Sequence, residues 1–171
     1  ACGSFNGTLT TFGITSSSSN DILLIHKSEN AEVKAFSVGI DGDGECSRVV
    51  LQGNNQSILV GWFDGTLQYR NTSIVADGRA GFVLRMNHTS GEVLDHYVVD
   101  SPLSGQSDYL HGVDQLEGGG LVVVGSSKGN LSDQSQGISQ GSCNETCGIV
   151  AVLNHSLDVQ EFTYVSGNLG V

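Results

Sequence analysis

The residues of this 171-residue chain whose types and spacing could carry chemistry fall into four groups. They are a set of glycan-acceptor asparagines, four cysteines, one acidic run and one aromatic pair beside a carboxylate. Asn-x-Ser/Thr occurs at Asn6, Asn55, Asn71, Asn87, Asn130, Asn144 and Asn154. Seven of the 11 asparagines therefore stand in sequons, where chance pairing with 31 Ser and Thr predicts roughly two. The excess points to N-linked glycans as covalent partners and to a eukaryotic secretory route. The plain structural alternative is that Asn, Ser and Thr are all turn residues and meet often in loops.

Four cysteines suit an oxidising compartment. Cys143 and Cys147 bracket the sequon of Asn144 in "CNETC". No second Cys pair or His pair at matching spacing completes a zinc site, so a short disulfide loop is the expected reading. Cys2 and Cys46 then remain for a second bridge. Four cysteines allow three pairings, and spacing alone does not choose among them. In "DGDGE", Asp41, Asp43 and Glu45 offer oxygens at alternate positions, like half of a calcium loop. Calcium takes six to eight oxygens, so the expected reading is a solvated turn without a metal.

Trp62, Phe63 and Asp64 sit at a strand end, where aromatic rings and a carboxylate could hold a sugar or a peptide. The structural alternative is that they cover a seam between packed sheets. The five histidines (His26, His88, His96, His111 and His155) are dispersed. His88 and His155 lie inside sequons at matching places, and His26 is expected to pack on a strand. No Ser-His-Asp or Cys-His arrangement stands out, and Glu92 and Asp95 carry no sign of an acid–base partnership. The expectation is no catalytic residues, no metal and no cofactor.

The elements that must position these groups follow from a recurring phrase. "GSFNGTL" at 3–9 returns as "GWFDGTL" at 61–67 and "GSSKGNL" at 125–131. Around it, 21–38, 81–99 and 148–165 each read as an apolar strand, a polar turn and an alternating strand. The segments 46–63 and 110–127 each read as two short strands about a Gly- or Asn-rich turn. The expected fold is all-β: antiparallel four-stranded blade-like repeats of about 60 residues. The repeat spans are 1–67, 68–131 and 132–171, about 2.5 units in a β-propeller-like segment or open β array. The phrase is expected to turn the chain out of one sheet and lead it toward the next unit. Leu121–Val124 is apolar at consecutive positions, which fits a strand covered on both faces, and Glu92–Val99 alternates as an outer strand would. No window keeps helical periodicity over three turns.

These elements resemble the short β-propeller repeats found in tandem in large secreted and surface proteins. In that pattern a strand of the type D-x-x-L-x-K/R-x is followed by a D/N/S-G turn, and the unit closes on I-x-V-x-G. Asp21–Lys27 and Gly81–Met86 match the first element, Ser90-Gly91 the turn, and Ile58–Gly61 and Leu121–Gly125 the last. The third unit departs, with Leu157-Asp158 where the turn glycine stands. The resemblance implies a fold and transfers no catalytic residue.

Composition bounds the function. Gly is 24 of 171, about twice ordinary usage, and Pro appears once. The formal net charge is −11 with seven scattered Lys and Arg, which argues against nucleic acid and anionic membrane surfaces. No apolar run approaches the roughly 20 residues of a membrane helix. No signal-peptide pattern opens the chain, so a mature product or a segment of a longer chain is expected. The tract "TSSSSN" (15–20) reads as an exposed connection open to O-glycosylation. Open ends of a β array invite pairing, so self-association or continuation into a longer chain is expected. The leading function is a secreted, heavily N-glycosylated β-repeat structural protein, a subunit or segment of an extracellular fibre, sheath or surface coat. The alternative is a ligand- or carbohydrate-binding propeller segment of a receptor or lectin-like protein, working through Trp62, Phe63 and Asp64. A third reading is part of a propeller hydrolase.

Overall fold

The computed structural model describes all residues except 18, 54, 102–106, 130–131, 134–137, 140–142 and 166–171. The side chains of 129, 132–133, 138–139 and 143–145 are also outside the description. The chain forms β1 (Cys2–Phe5), β2 (Thr8–Leu9), β3 (Ile14–Thr15), β4 (Asp21–Lys27), β5 (Val33–Asp41), β6 (Gly44–Gln52), β7 (Gln56–Tyr69) and β8 (Thr72–Asn87). It continues as β9 (Glu92–Val99), β10 (Asp108–Gln115), β11 (Leu121–Gly129), β12 (Ser132–Asp133), β13 (Ile138–Ser139), β14 (Cys143–Leu153) and β15 (Val159–Val165). No helix occurs among the described residues, and none is long and apolar enough to cross a membrane.

Every strand pairing is antiparallel, and all five expected hairpins are present: β4–β5, β6–β7, β8–β9, β10–β11 and β14–β15. Eleven of the strands fall into three sets, and β2–β3 and β12–β13 form two separate two-stranded pairs. The first is β1-β4-β5, the second the meander β6-β7-β8-β9, and the third the four-stranded sheet β10-β11-β14-β15. The first two sets join in one sheet, because the end of β5 runs along the same edge of β7 as β6 does. Among the described residues the sheets do not close into a barrel or a ring.

The sets share their irregularities. β6 slips register on β7 between Cys46 and Arg48, and β10 slips on β11 between Leu110 and Gly112, 64 positions later in each case. β8 slips on β9 between Arg85 and Met86, and β14 on β15 between Val152 and Leu153. A bulge adds one unpaired residue and increases the local twist, so bulges at matched places bend the two sheets alike.

The recurring phrase holds two glycines with different tasks. Gly61 pairs with Phe82 and Gly125 with Ile149. A Cβ on Gly61 would run into the carbonyl of Glu45, and one on Gly125 into the carbonyl of Tyr109, the residues just before the two bulges. Gly7 and Gly65 instead have φ of 84° and 76°, a left-handed backbone that glycine adopts at least cost. After that second glycine the chain does not leave for another unit. Thr8–Leu9 pairs with Ile14–Thr15, and Thr66–Tyr69 pairs with Thr72–Val75. Each is a two-stranded ribbon that returns into the same sheet. The boundary expected at 67/68 therefore falls inside β7, and the sheets are offset by one hairpin from the repeat spans read off the sequence.

Two apolar clusters lie on opposite faces of the second set. Leu59, Phe63, Phe82, Leu84 and Met86 face the first set together with Ile22, Leu24, Val38 and Ile40. Ile58, Val60 and Val83 face the third set with Leu110, Val113, Leu121, Val123 and Ile149. The continuous apolar runs of β7 and β8 are thus covered on both faces. The expectation of two covered faces for Leu121–Val124 needs correction. Leu121 and Val123 are buried, but Val124 is 42% exposed, because no described strand covers the far face of β11. Strand β9 alternates only in its first half: Val93 is buried between half-buried Glu92 and exposed Leu94, but Tyr97 and Val98 are both half-buried, and Val93 and Val99 belong to the two opposite clusters.

"DGDGE" is a second correction. It does not turn the chain. Asp41 pairs with Thr66 and Gly44 with Phe63, so β5 continues into β6 past Gly42 and Asp43 without reversing. A Cβ on Gly42 would meet the Asp64 carbonyl, and one on Gly65 the Asp41 carbonyl, so close backbone approach sets both glycines.

Candidate functional site

Trp62 and Asp64 sit two apart on β7, and the register places Arg79 of β8 opposite Asp64. The Arg79 guanidinium carbon lies 3.9 Å from the Trp62 ring centroid. Arg79 Nη2 stands 3.6 Å from Asp64 Oδ2, and Nη1 donates to the Tyr109 hydroxyl. Tyr109, the second residue of β10 in the third set, meets Trp62 edge to face at 6.0 Å between centroids. His111 stacks on Tyr109 at 5.8 Å and shares a 3.0 Å hydrogen bond with Ser126. The result is a strip of aromatic rings crossing the seam between the second and third sets, pinned by one cation. One face of Trp62 is taken by Arg79. The guanidinium is itself directed to Asp64 and Tyr109, so the cluster first of all fastens two sheets together.

Of the three residues expected to contact a ligand, Trp62 and Asp64 are half-buried at this strip, while Phe63 is fully buried beside Phe82. Successive strand residues point to opposite faces, so Phe63 necessarily enters the core when its neighbours do not. Arg79, Tyr109 and His111 were not legible as partners. They lie on other strands, and only the tertiary register brings them together.

The remaining carboxylates and histidines are engaged separately. Glu92 pairs with Arg70, and Asp95 lies 3.6 Å from Arg85. Arg85 is 7% exposed and donates to the His155 carbonyl; burial pulls its guanidinium below the usual range. Asp43 accepts from the Asn20 amide at 2.8 Å, and its own N–H donates to Asp64 at 2.7 Å. Among the described residues no group of three or more His, Cys, Asp or Glu is placed to hold a metal. His26 packs face to face with His88 at 4.2 Å, and Ser57 bonds the His88 ring at 3.0 Å. Burial, with His26 second, lowers the pKa of His88. A hollow of about 80 Å³ lies beside this pair, between His26, Ser28, Glu32, Lys34 and Thr89. That is well below the roughly 300 Å³ at which ordinary ligand pockets begin.

Cys2 and Cys46 form a disulfide across 44 residues of sequence, joining β1 of the first set to β6 of the second. The expected Cys143–Cys147 pairing rests on the Cys143 side chain, which lies outside the described residues. Cys147 is buried and disulfide-bonded.

Among the sequons, Asn6, Asn55 and Asn71 are exposed. Asn87 and Asn154 are half-buried and begin two turns of the same design. Asn87 Oδ1 accepts from the Thr89 and Ser90 N–H groups, and Asn154 Oδ1 from those of Ser156 and Asp158. Asn130 falls outside the described residues. Asn144 lies within β14, not in the short loop expected between Cys143 and Cys147, and its side chain is also outside the description.

Fold and geometry together define an all-β protein of antiparallel sheets with recurring register, stapled by a disulfide. No protein-family model matches the chain, and no curated protein is similar to it in sequence.

Proposed function

We propose that this chain is a blade-like β-repeat element of a secreted, N-glycosylated structural protein, a subunit or segment of an extracellular fibre, sheath or surface coat. The observation that carries the reading is that one seam is built twice. β6 packs across β1 and β4 of the first set, and β10 packs across β7 and β8 of the second. Cys2 and Cys46 occupy the first seam where Val60 and Leu110 occupy the second. An array that adds layers by one repeated contact is suited to extension, either along one polypeptide or between chains. The disulfide fits an oxidising environment. The acceptors Asn6, Asn55 and Asn71 are exposed, so glycans there would project into solvent. The test is material from its natural source, weighed before and after enzymatic removal of N-glycans and then sedimented over a range of concentrations. The reading requires a glycan-bearing mass and species larger than one chain. Unmodified asparagines together with a monomer at every concentration would refute it.

A second reading, carbohydrate or peptide binding, is favoured by one feature: the aromatic strip of Trp62, Tyr109 and His111. Glycan-array binding that disappears in Trp62→Ala, in a variant that still melts cooperatively as a folded chain, would move this reading ahead.

A further inference from the structure

We infer that His26 and His88 form an acid-released latch between the first and second sets. With at most one proton on the pair, the β4–β5 tip (residues 28–32) stays docked on the β8–β9 turn; with a proton on each ring, it lifts away. The latch belongs to a single chain and does not depend on the assembly reading above.

The latch is the titratable one of two equivalent contacts. Gly3 pairs with Leu23 as Gly61 does with Phe82. Three residues beyond Leu23 and Phe82 on the same strands stand His26 and Arg85. Each meets the following set at the same place, the residue after the asparagine of a matching Asx turn. His26 lies face to face on the His88 ring, with centroids 4.2 Å apart and planes 13° from parallel. Arg85 donates to the main-chain carbonyl of His155. His88 follows Asn87, and His155 follows Asn154. A guanidinium keeps its charge through the ordinary pH range, and Asp95 stands 3.6 Å from this one. The second contact is therefore the same at neutral and mildly acid pH, whereas the first is made of two groups that ordinarily titrate between them.

Neutral imidazoles stack by dispersion, and a single proton on the pair is tolerated as a cation over a ring. Two protons place like charges face to face in a half-buried seam, where water screens them less than at an open surface. The surrounding groups do not offset the second charge. From β5, Lys34 stands opposite His26 in the ladder and lines the hollow beside it. Glu32, 3.7 Å from the Lys34 ammonium, is 64% exposed at its side chain. Lys27 and Glu29 are exposed. From β1, the Ala1 amino group donates to the Ile25 carbonyl, a further cation. From β7, the Ser57 hydroxyl lies 3.0 Å from His88 Nδ1, and it can donate to a neutral ring or accept from a charged one. β6 ends at this level in uncharged Leu51 and Gln52, and Glu92 of β9 is bound by Arg70. The His88 N–H donates to the Asn55 carbonyl at 2.9 Å and so holds His88 in its own set. Below the tip, the Phe36 ring lies against Gly91, an uncharged contact that keeps the rest of β4 and β5 docked. Protonation of facing histidines then biases a local opening at the tip alone.

The test is NMR of the folded, disulfide-bonded chain at pH 7.5 and 5.0. It reads the nuclear Overhauser contact between the two rings and the hydrogen exchange of the Ser28 and Ala31 amides. These amides donate within the β4–β5 tip as those of Asn154 and Leu157 do within the β14–β15 tip, which serves as the internal control. After correction for the intrinsic effect of pH on exchange, the latch predicts that acid removes the ring contact and lowers protection at Ser28 and Ala31 about tenfold or more. Protection at Asn154 and Leu157 should stay within about twofold. His26→Phe keeps a ring without the charge and should hold the tip closed at both pH values. His88→Gln, which leaves the Asn87 sequon intact, should make protection at Ser28 and Ala31 the same at both. A ring contact that survives at pH 5.0, a response that persists in either variant, or equal loosening at Asn154 and Leu157 overturns the latch.

Discussion

Removing the Cys2–Cys46 bridge tests whether the first seam needs a covalent staple. The bridge closes a loop across 44 residues of sequence with its Cα atoms 5.7 Å apart. In the chain-entropy treatment, opening a loop of that length releases denatured-state entropy worth about 4 kcal/mol at room temperature. Cys46 is 4% exposed, so replacing both cysteines by alanine also removes a little buried sulfur. The native seam keeps its other contacts, since Ile22, Leu24, Val49 and Phe82 remain in the cluster on both sides. The double variant Cys2→Ala/Cys46→Ala should therefore fold and lose about 3–5 kcal/mol by urea titration. Its m-value should rise, because the unbridged denatured chain exposes more surface. A loss below about 1 kcal/mol at an unchanged m-value would show that the bridge does not restrict the denatured chain. The loop argument would then be wrong. A chain that unfolds outright would show instead that the first set depends on the bridge for its existence.

Four other outcomes follow from the same geometry. Gly61→Ala and Gly125→Ala should each cost about 3 kcal/mol in chemical denaturation, because the obstructing atom is a backbone carbonyl that cannot rotate away. Asp21→Ala should cost about 3 kcal/mol, since the 2%-exposed carboxylate accepts from the Ser17 N–H and hydroxyl and from the Ile40 N–H; Asp21→Asn should cost less. The folded-state pKa of His88 lies below its ordinary 6.5, so the unfolded chain binds more protons just below that pH. This contribution to stability is present above pH 6.5 and lost as the pH falls through the folded value. Thermal melts at pH 7.5 and 5.5 should differ less in His88→Gln than in the parent. Burial raises the pKa of fully buried Asp108, so its contribution has the opposite sign: it is greatest below the ordinary carboxylate pKa and falls as the pH rises through the folded value. Asp108→Asn should therefore flatten a fall in melting temperature between pH 3.5 and neutrality.

What the sequence determined by itself is local. Alternation over five to eight residues placed the strands, and glycines and asparagines at fixed offsets placed the five hairpins. The matching Asx turns at Asn87 and Asn154 follow from a side chain reaching its own backbone two to four residues on. The recurrence of "GSFNGTL" and "GWFDGTL" was readable for the same reason, because each positive φ and each close approach leaves a glycine in the text. The tertiary structure alone decided which hairpins share a sheet. β7 pairs with β8 along nearly its whole length, across the place where the sequence pattern suggested a boundary. A hairpin's strands are equally well formed with either neighbour, and the choice lies in which apolar faces are covered together. For that reason Phe63 belongs to the core and Trp62 to the seam strip. Arg79, Tyr109 and His111 reach Trp62 from two other strands for the same reason, and Cys2 finds Cys46 across a stacked face, where sequence separation carries no information about distance.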